Sequence, residues 1–533
     1  MELPTVGSMS VEHSGTAVRL AAAEARQLLL EEAARRLGAP VAALEVEDGV
    51  VRRRGASDGV GYGALQGGRP FGRRITGEAL PKPAAAHRIV GRPGPRPDLR
   101  AKLTGGAFLH DLRLPDMLFG RVLRPPAEAA ELEAVETDPV RRLPGVVAVV
   151  RDGRFLGVVA EREEQAERAV ARLADACRWR VPATLPEDGD WLAWLRAQPR
   201  ESFPVVDGTP EDRPVPPHED PPDAARTRAA SYARPLLMHG SIGPSAAIAR
   251  WRDGALRVWS HSQGVAMLRL ALAEVLELAP EAVRVTHAEG PGCYGHNGAD
   301  DVALDAALLA RAAPGRPVQV QWSRQDEHAW EPYGPASVVD LRASLDAQGR
   351  IVDWSHEATS LTHVGRPMPG GEGSQLLAAW HLARPRPRPR PRARLAPEVG
   401  VHRNAWPAYA LPRVRVVKHL VPSRTFRTSS LRSLGAFANV FAIESFVDEL
   451  AHAAGVDPLA FRLRHLEEPR ARAVLEAAAG ALGWRRAGGD GRGQGLAFAR
   501  YANAKAWAAV AVELDVDEGG RIHLRRAVVA ADA

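Results

Sequence analysis

The stretch that decides the fold is "LRSLGAFANVFAIESFVDELAHAAGVDPLAFRLRHL", residues 431–466. Its apolar residues recur at helical spacing from Asn439 onward, which predicts a long helix. The turn just ahead of that helix carries Arg432 and Gly435. On the residues alone, Arg432 can be interpreted as a surface or interface arginine. The polar residues within the helix are best interpreted as structural: Asn439, Glu444 and Asp448.

A second informative stretch is the glycine-rich segment "EGPGCYGHNGADD", residues 289–301. Three functions are open for it. Cys293 could be a nucleophile if His296 lowers the pKa of its thiol, because a catalytic thiol needs a base or a helix N-terminus nearby. His296 and Asp300 could bind a metal ion on composition alone. Alternatively, the glycines allow the backbone to approach a flat, charged ligand.

Composition excludes several classes of function. The chain has 533 residues, 45% of them hydrophobic and 25% charged, as in soluble globular proteins of several domains. The net charge is +6, and the Arg–Pro tract at 384–394 alone holds six arginines, so the remaining surface is nearly balanced and we expect no nucleic-acid partner. Two cysteines, Cys177 and Cys293, are too few for an iron–sulfur cluster or a cysteine-rich zinc site.

The N-terminal residues lack the basic segment and apolar core of a signal peptide, and no apolar run is long enough for a transmembrane helix. We therefore expect a soluble, cytoplasmic protein. Cys177 is expected to be a buried packing residue, as free cysteines usually are.

The pattern of helices, strands and proline-rich stretches predicts an α+β protein. The first ninety residues begin with a helix that Gly38 can end, followed by a hairpin at Asp48–Gly49. Residues 98–182 form an α+β unit, and 183–229 are acidic and proline-rich, which is typical of a linker. A larger region begins near Tyr232. The Arg–Pro tract interrupts it as an extended, solvated insertion, or as a tract that binds acidic partners.

Several segments, in one order along the chain, resemble the molybdopterin-binding large subunit of the xanthine dehydrogenase and aldehyde oxidase family. They are most similar to its isoquinoline-oxidoreductase and nicotinate-dehydrogenase branch. The segments are "KLTGGAFLHDLRLPDMLFGRVLRPP" at 102–126, "LPGVVAVVRDGRFLGVVAE" at 143–161, "HGSIGPSAAIARW", "WSHSQGVAMLR", "EGPGCYGHNGADD" and the stretch at 431–466. The resemblance covers most of the chain.

The resemblance implies a domain organisation. It predicts a hammerhead-like α/β domain followed by an incomplete molybdopterin-binding α+β region. The expected divisions are a partial N-terminal cofactor-region segment at 1–90, the hammerhead-like domain at 98–182, the linker at 183–229, a first molybdopterin-binding domain at 230–468 with the Arg–Pro insertion, and the start of a second at 469–533.

The chain departs from the family pattern at both ends. The family's catalytic glutamate lies in a Gly-x-Gly-Glu segment near its C-terminus, and this chain has no such segment. Glu513 and Glu518 are best interpreted as strand and turn residues, so we expect no general-base glutamate in this chain. The branch also has sequence, including a Gly-Gln-Gly segment, before the region that matches Pro4. The chain is therefore expected to be cut at both ends, and a periplasmic location stays open.

The resemblance also implies which residues form the site. Gln263 matches the family's glutamine close to the metal's oxo group, and Arg432 matches an arginine that positions the substrate or stabilises developing charge. No protein side chain is expected to ligate the metal. The residues expected to bind the cofactor are Gln263, Gly264, Gly292, Tyr294, Gly295, Gly435, Ala436, Phe437 and Gln494.

The implied reaction is hydroxylation of an N-heteroaromatic compound or an aldehyde, with water as the oxygen source. The implied cofactor is molybdopterin with molybdenum, in its plain or its cytosine dinucleotide form. Electrons would leave through [2Fe–2S] clusters in a small iron–sulfur subunit, and a further chain would supply the missing C-terminal half. The alternative hypothesis is a truncated or degenerate chain that binds cofactor or partner without catalysis.

Overall fold

The structure is a computed structural model that describes residues 4–185, 189–368, 372–485, 489 and 491–533. The chain divides into two compact units, one ending at Gly105 and one running from Gly106 to Ala533.

The first unit is built around one helix and a small antiparallel sheet. Its elements are α1 (Thr16–Leu37), β1 (Leu44–Glu47), β2 (Val50–Arg53), β3 (Gly59–Gly61), α2 (Tyr62–Gln66) and α3 (Leu99–Thr104). Gly38 ends α1 in the left-handed conformation, with φ of 60°. Glu47 pairs with Val50 across the Asp48–Gly49 turn, so the predicted helix end and hairpin are both found.

The second unit contains the remaining elements. Its helices are α4 (Asp138–Arg141), α5 (Glu163–Asp175), α6 (Trp191–Ala197), α7 (Val265–Leu276), α8 (Ala299–Arg311), α9 (Arg324–Trp330), α10 (Gly435–Ala454), α11 (Pro458–Arg464) and α12 (Pro469–Leu482). Its strands are β4 (Leu118–Leu123), β5 (Glu131–Val135), β6 (Val146–Asp152), β7 (Phe155–Ala160), β8 (Cys177–Arg180), β9 (Glu201–Val206), β10 (Thr209–Pro210), β11 (Arg226–Arg234), β12 (Ala246–Arg252), β13 (Ala255–Ser260), β14 (Val283–His287), β15 (Val318–Gln321), β16 (Ser337–Leu345), β17 (Ile351–Ser360), β18 (Val414–Leu420), β19 (Arg492–Arg500), β20 (Trp507–Val516) and β21 (Ile522–Asp532).

The first large sheet crosses a predicted domain boundary. Its strand order is β14-β13-β12-β15-β4-β7-β6, and β15 pairs in parallel with β4, where Val318 lies opposite Leu118. The predicted 98–182 unit therefore shares a sheet with strands of the following region. Helices α7 and α8 pack against this sheet and share one hydrophobic core with it. Almost every side chain of α8 is buried there.

The second large sheet shows that the predicted linker at 183–229 has ordered structure. Its order is β10-β9-β18-β17-β16-β11, so β9 and β10, which lie inside that range, are ladder strands. Leu195 on α6 and Val205 on β9 are buried. The proline-rich composition suggested a linker because proline disfavours ladder positions, yet Pro204 is accommodated in β9 opposite Val417.

The C-terminal strands β19, β20 and β21 form an antiparallel sheet that α12 covers. The turn between β20 and β21 is closed by Asp517, whose Oδ1 accepts hydrogen bonds from the N–H groups of Gly519 and Arg521. Glu513 lies on β20 and Glu518 lies in this turn, as the sequence predicted.

The Arg–Pro tract at 384–394 contains neither helix nor strand, as its alternating prolines predict. The tract is partly solvated, since Arg384, Arg392 and Arg394 are exposed, but other arginines of the tract bind carboxylates of this chain. Arg386 Nη1 donates to Glu274 Oε1 at 2.9 Å, and Arg388 Nη1 donates to Glu128 Oε2 at 2.6 Å. The tract therefore lies along the surface of the second unit.

Helices occur together with antiparallel and mixed sheets, so the predicted α+β class is confirmed. The domain divisions, apart from the ordered structure found within 183–229, stay predictions. Cys177 begins β8 and packs against a small cluster around α5, where burial raises the pKa of its thiol. Among the described helices, none is both long and apolar enough to cross a membrane.

Candidate functional site

Two loops that the sequence singled out lie side by side in the second unit. Gly295 and Leu431 form an antiparallel bridge, and the N–H of Arg432 donates to the carbonyl oxygen of Tyr294 at 2.7 Å. The guanidinium of Arg432 lies 5.4 Å from the centre of the Tyr294 ring. The turn at 292–295 and the turn ahead of α10 therefore form one surface, with the exposed Arg432 held over an aromatic ring.

Gly295 and Gly435 are required by the close approach of this backbone. A Cβ on Gly295 would lie 2.0 Å from the carbonyl oxygen of Ser430, and its φ of +137° disfavours any other residue. A Cβ on Gly435 would lie 2.4 Å from the carbonyl oxygen of Val401. Neither distance is compatible with a side chain, so both glycines fix how closely the loops pack.

The backbone of the same two loops is strained. Tyr294, Ser433 and Leu434 have φ values of 56°, 76° and 53°, in a region that residues other than glycine rarely adopt. Such conformations cost free energy and cluster at binding sites, where the surrounding structure holds them. Three of the non-glycine residues with positive φ therefore lie in these two loops.

A buried polar network lies behind the turn. Both ring nitrogens of His296 are hydrogen-bonded. Nδ1 lies 2.9 Å from Ser429 Oγ, and Nε2 lies 2.9 Å from Asp300 Oδ2. Burial lowers the pKa of His296 to about 4, so the ring is neutral near pH 7. Both ring nitrogens are occupied, which leaves His296 unable to act as the base for Cys293.

Asp300 is an ionised member of this network. Burial opposes its charge, but the His296 hydrogen bond and the nearby Arg366 together lower the pKa of Asp300 to about 2. No group of three or more His, Cys, Asp or Glu side chains in the described ranges is arranged to hold a metal ion. The nucleophile and metal-site alternatives for the segment 289–301 therefore have no supporting geometry here.

A third segment joins the site through a residue that the sequence did not indicate. Arg366 Nη2 donates to Gln263 Oε1 at 2.8 Å, and the N–H of Gly365 donates to Ser429 Oγ at 3.0 Å. Hydrogen bonds thus link Gln263 to the loop at 365–366, and that loop to Ser429 and His296. Gln263 and the two glycine-containing loops belong to one connected arrangement.

The other predicted residues differ in their placement. Gly264 precedes α7, and its N–H donates to Ser262 Oγ at 3.0 Å. Ala436 is buried in the first turn of α10, whereas Phe437 is 57% exposed, with the Arg234 guanidinium 5.2 Å from its ring centre. Gln494 lies on β19, and its Oε1 accepts a hydrogen bond from the N–H of Arg485 at 2.9 Å. Among the residues that the structure describes, no side-chain hydrogen bond or ion pair joins Gln494 to the other candidate residues.

Comparison with known proteins identifies the domain that contains this arrangement. The family model described as "Molybdopterin cofactor-binding domain" matches residues 222–380 and 393–466. The chain is also 38% identical, over 99% of its own length, to one of the subunits of nicotinate dehydrogenase from Pseudomonas putida. This chain carries a molybdopterin cofactor-binding domain. The family prediction is confirmed.

Further relatives support the same family. The chain is 26% identical over 91% of its length to the beta subunit of isoquinoline 1-oxidoreductase from Brevundimonas diminuta. Over 70% of its length it is 28% identical to the molybdenum-binding subunit of an aldehyde oxidoreductase of Escherichia coli. The chain spans 45%, 65% and 50% of the lengths of these three relatives.

Solved structures agree on the fold. Quinoline 2-oxidoreductase of Pseudomonas putida 86 aligns with a TM-score of 0.57 at 16% identity, over 80% of this chain and 61% of that one. The aldehyde oxidoreductase of Desulfovibrio gigas aligns with a TM-score of 0.57 at 18% identity, over 87% and 55%. The match to the molybdopterin-binding family model breaks at 381–392, largely within the Arg–Pro tract, and the predicted insertion there stays a prediction.

The residues of the molybdopterin-binding domain fit the cofactor that the family implies. The N–H groups of Gly292, Cys293 and Tyr294 donate to no acceptor in the described chain, so they are available to a ligand's oxygen or nitrogen atoms. A glycine-rich turn with free backbone donors suits phosphate and pterin groups. The cofactor roles of the individual residues stay predictions.

Proposed function

We propose that this chain is the cofactor-binding subunit of a molybdenum hydroxylase that oxidises an N-heteroaromatic substrate. The observation that carries the proposal is the surface formed by the turns at 292–295 and 432–435. It has free backbone donors, strained backbone and no room for side chains, and it lies in the matched domain. The similarity to a nicotinate dehydrogenase subunit supports an N-heterocycle ahead of an aldehyde.

The backbone of Gly292–Gly295 and the amide of Gln263 would hold the cofactor. When bound, molybdopterin supplies a two-electron oxidation in which the added oxygen comes from water. Arg432 would present its positive charge to the substrate. Its exposed guanidinium is held over the Tyr294 ring and is therefore already oriented before the substrate arrives.

Asp300, the carboxylate hydrogen-bonded to His296 behind the turn, is a poor candidate for a general base. Asp300 has a pKa of about 2, is buried, and already accepts hydrogen bonds from His296 and Ser262. A general base works best when its pKa lies near the operating pH. The proton acceptor is therefore proposed to come from sequence outside this chain, in keeping with the absent Gly-x-Gly-Glu segment.

Electron transfer requires a partner. With Cys177 and Cys293 alone, this chain cannot hold an iron–sulfur cluster, so [2Fe–2S] centres belong to a small partner subunit in this proposal. The relatives at 38% and 26% identity are themselves named as subunits. We propose a cytoplasmic location for the assembly.

Oxygen labelling tests the proposal. The chain is purified with its native partner subunits and incubated with nicotinate, isoquinoline or an aromatic aldehyde in ¹⁸O-water. A hydroxylase should add one labelled oxygen to the heterocycle while an electron acceptor is reduced. A molybdenum-loaded complex that forms no labelled product from any of the three would contradict catalysis and favour the non-catalytic cofactor-binding alternative.

A further inference from the structure

Arg366 is a buried cation without a carboxylate partner. The residue is only 7% exposed, and its one recorded hydrogen bond goes to the neutral amide oxygen of Gln263. It forms no ion pair with any carboxylate in the described part of the chain. A buried guanidinium is costly unless a negative charge compensates it, so this arrangement indicates an anion-binding function.

The nearest acid does not satisfy Arg366. Asp300 is close enough to influence the Arg366 charge, but its carboxylate is hydrogen-bonded to His296 and Ser262. Burial lowers the pKa of Arg366, yet a guanidinium remains charged at physiological pH. A positive charge therefore persists beside Gln263 and Cys293.

The loop that carries Arg366 is held rigidly. The N–H of Gly365 donates to Ser429 Oγ, and a Cβ on Gly365 would lie 2.6 Å from the carbonyl oxygen of Thr428. Pro367 follows directly and restricts the backbone of Arg366. The guanidinium has no fully buried, unpartnered N–H, so its remaining donors keep contact with solvent. Arg366 is thus preorganised to bind a ligand from the candidate site.

We propose that Arg366 binds the carboxylate of the substrate, which makes this a site for N-heteroaromatic carboxylates. The inference rests on the proposed function and names its substrate class. A planar guanidinium pairs with a carboxylate through two parallel hydrogen bonds, which fixes the ring's orientation as well as its position. Arg366 is then a specificity-determining residue, and neutral heterocycles lack the group it recognises.

An oxyanion of the cofactor has the same chemistry as a substrate carboxylate, and the experiment separates the two. Arg366→Met and Arg366→Lys are compared with Arg252→Met, which alters an exposed arginine at the end of β12. Each complex is assayed for molybdenum per chain, and for KM and kcat with nicotinate and its uncharged amide, nicotinamide. Direct binding of nicotinate is measured by calorimetric titration.

The proposal expects Arg366→Met to raise KM and Kd for nicotinate by about tenfold or more, since a charge-assisted pair is lost. Arg366→Lys should recover part of that loss. Molybdenum content should stay close to that of the wild type and of Arg252→Met, and the KM for nicotinamide should rise far less than the KM for nicotinate.

Two results would overturn the assignment. A fall in molybdenum content would assign Arg366 to a cofactor oxyanion, and equal losses with both substrates would make its role structural. A wild-type complex that holds molybdenum but oxidises neither compound contradicts the proposed function instead. The nicotinate titration then decides the Arg366 assignment, and equal binding by wild type and Arg366→Met would refute it.

Discussion

Single glycines determine how closely the turns at 292–295 and 432–435 pack, and Gly435 gives a direct test. Gly435→Ala places a Cβ 2.4 Å from the carbonyl oxygen of Val401. We expect overpacking to lower the free energy of unfolding by about 1–3 kcal/mol. Gly480→Ala is the matched control, because Gly480 lies in α12 with no atom within 4 Å of the added Cβ. Chemical denaturation measures both, and equal stability of the two variants would contradict the account.

At the level of single residues, the sequence predicted part of the candidate site. The glycines of 289–301 and the Arg432–Phe437 turn could be found because their residue types limit the backbone, and the structure brings these two turns together. The role of Arg366 could not be predicted from the sequence. The surrounding "THVGRPMPG" has no periodicity or motif, and its significance depends on Gln263, more than a hundred residues away.

At the scale of elements, α10 and α11 are joined by a buried ion pair. Arg462 is fully buried; its Nε donates to Glu444 Oε2 and its Nη2 to the Glu444 carbonyl, both at 2.9 Å. Arg462→Met leaves the Glu444 carboxylate buried without its cation, so we expect a loss of about 3–5 kcal/mol in stability. Arg464→Met, two residues on and exposed, should change stability little. A small effect of Arg462→Met on the denaturation midpoint would refute this role.

The Arg–Pro tract supplies a second element-scale prediction. Arg388 donates to Glu128 and to the carbonyl oxygen of Phe426 at 2.8 Å, and it lies 5.0 Å from the Trp380 ring centre. Arg388→Ala should therefore lower the melting temperature, because these contacts of the tract are lost. Arg392→Ala is the control, since Arg392 is exposed and has no recorded partner. Equal melting temperatures of the two variants would show that the contacts of Arg388 do not stabilise the protein.

Elements with a strong local signal were predictable, and those defined by distant pairing were not. The α1 end at Gly38, the β1–β2 hairpin and the α10 helix follow from glycine placement and periodicity. The parallel pairing of β4 with β15 joins residues about two hundred positions apart, so no local pattern indicates it. The ordered strands within 183–229 were missed for the same reason.

For the whole molecule, buried histidines make stability depend on pH. Burial lowers the pKa of His261, His296 and His356 to about 4, below the value of about 6.5 in an unfolded chain. Between these values the unfolded state binds more protons, so stability is complete above about pH 6.5 and falls as the pH drops toward 4. We expect roughly 1 kcal/mol or more to be lost per histidine over this window.

Denaturation curves between pH 7 and pH 4.5 measure this dependence. His356→Gln should flatten the slope of unfolding free energy against pH, because one buried titrating ring is removed. His13→Gln, at an exposed position, should leave the slope unchanged. An unaltered slope in His356→Gln would show that this ring does not contribute.

The central claim, that the turns at 292–295 and 432–435 hold molybdopterin, is tested most directly by molybdenum content. The chain is produced together with an iron–sulfur subunit in cells that make the cofactor, and metal is measured per mole of folded chain. The account predicts about one molybdenum per chain, as expected for a specific cofactor site. A chain that is folded by circular dichroism but carries no molybdenum above background would contradict it.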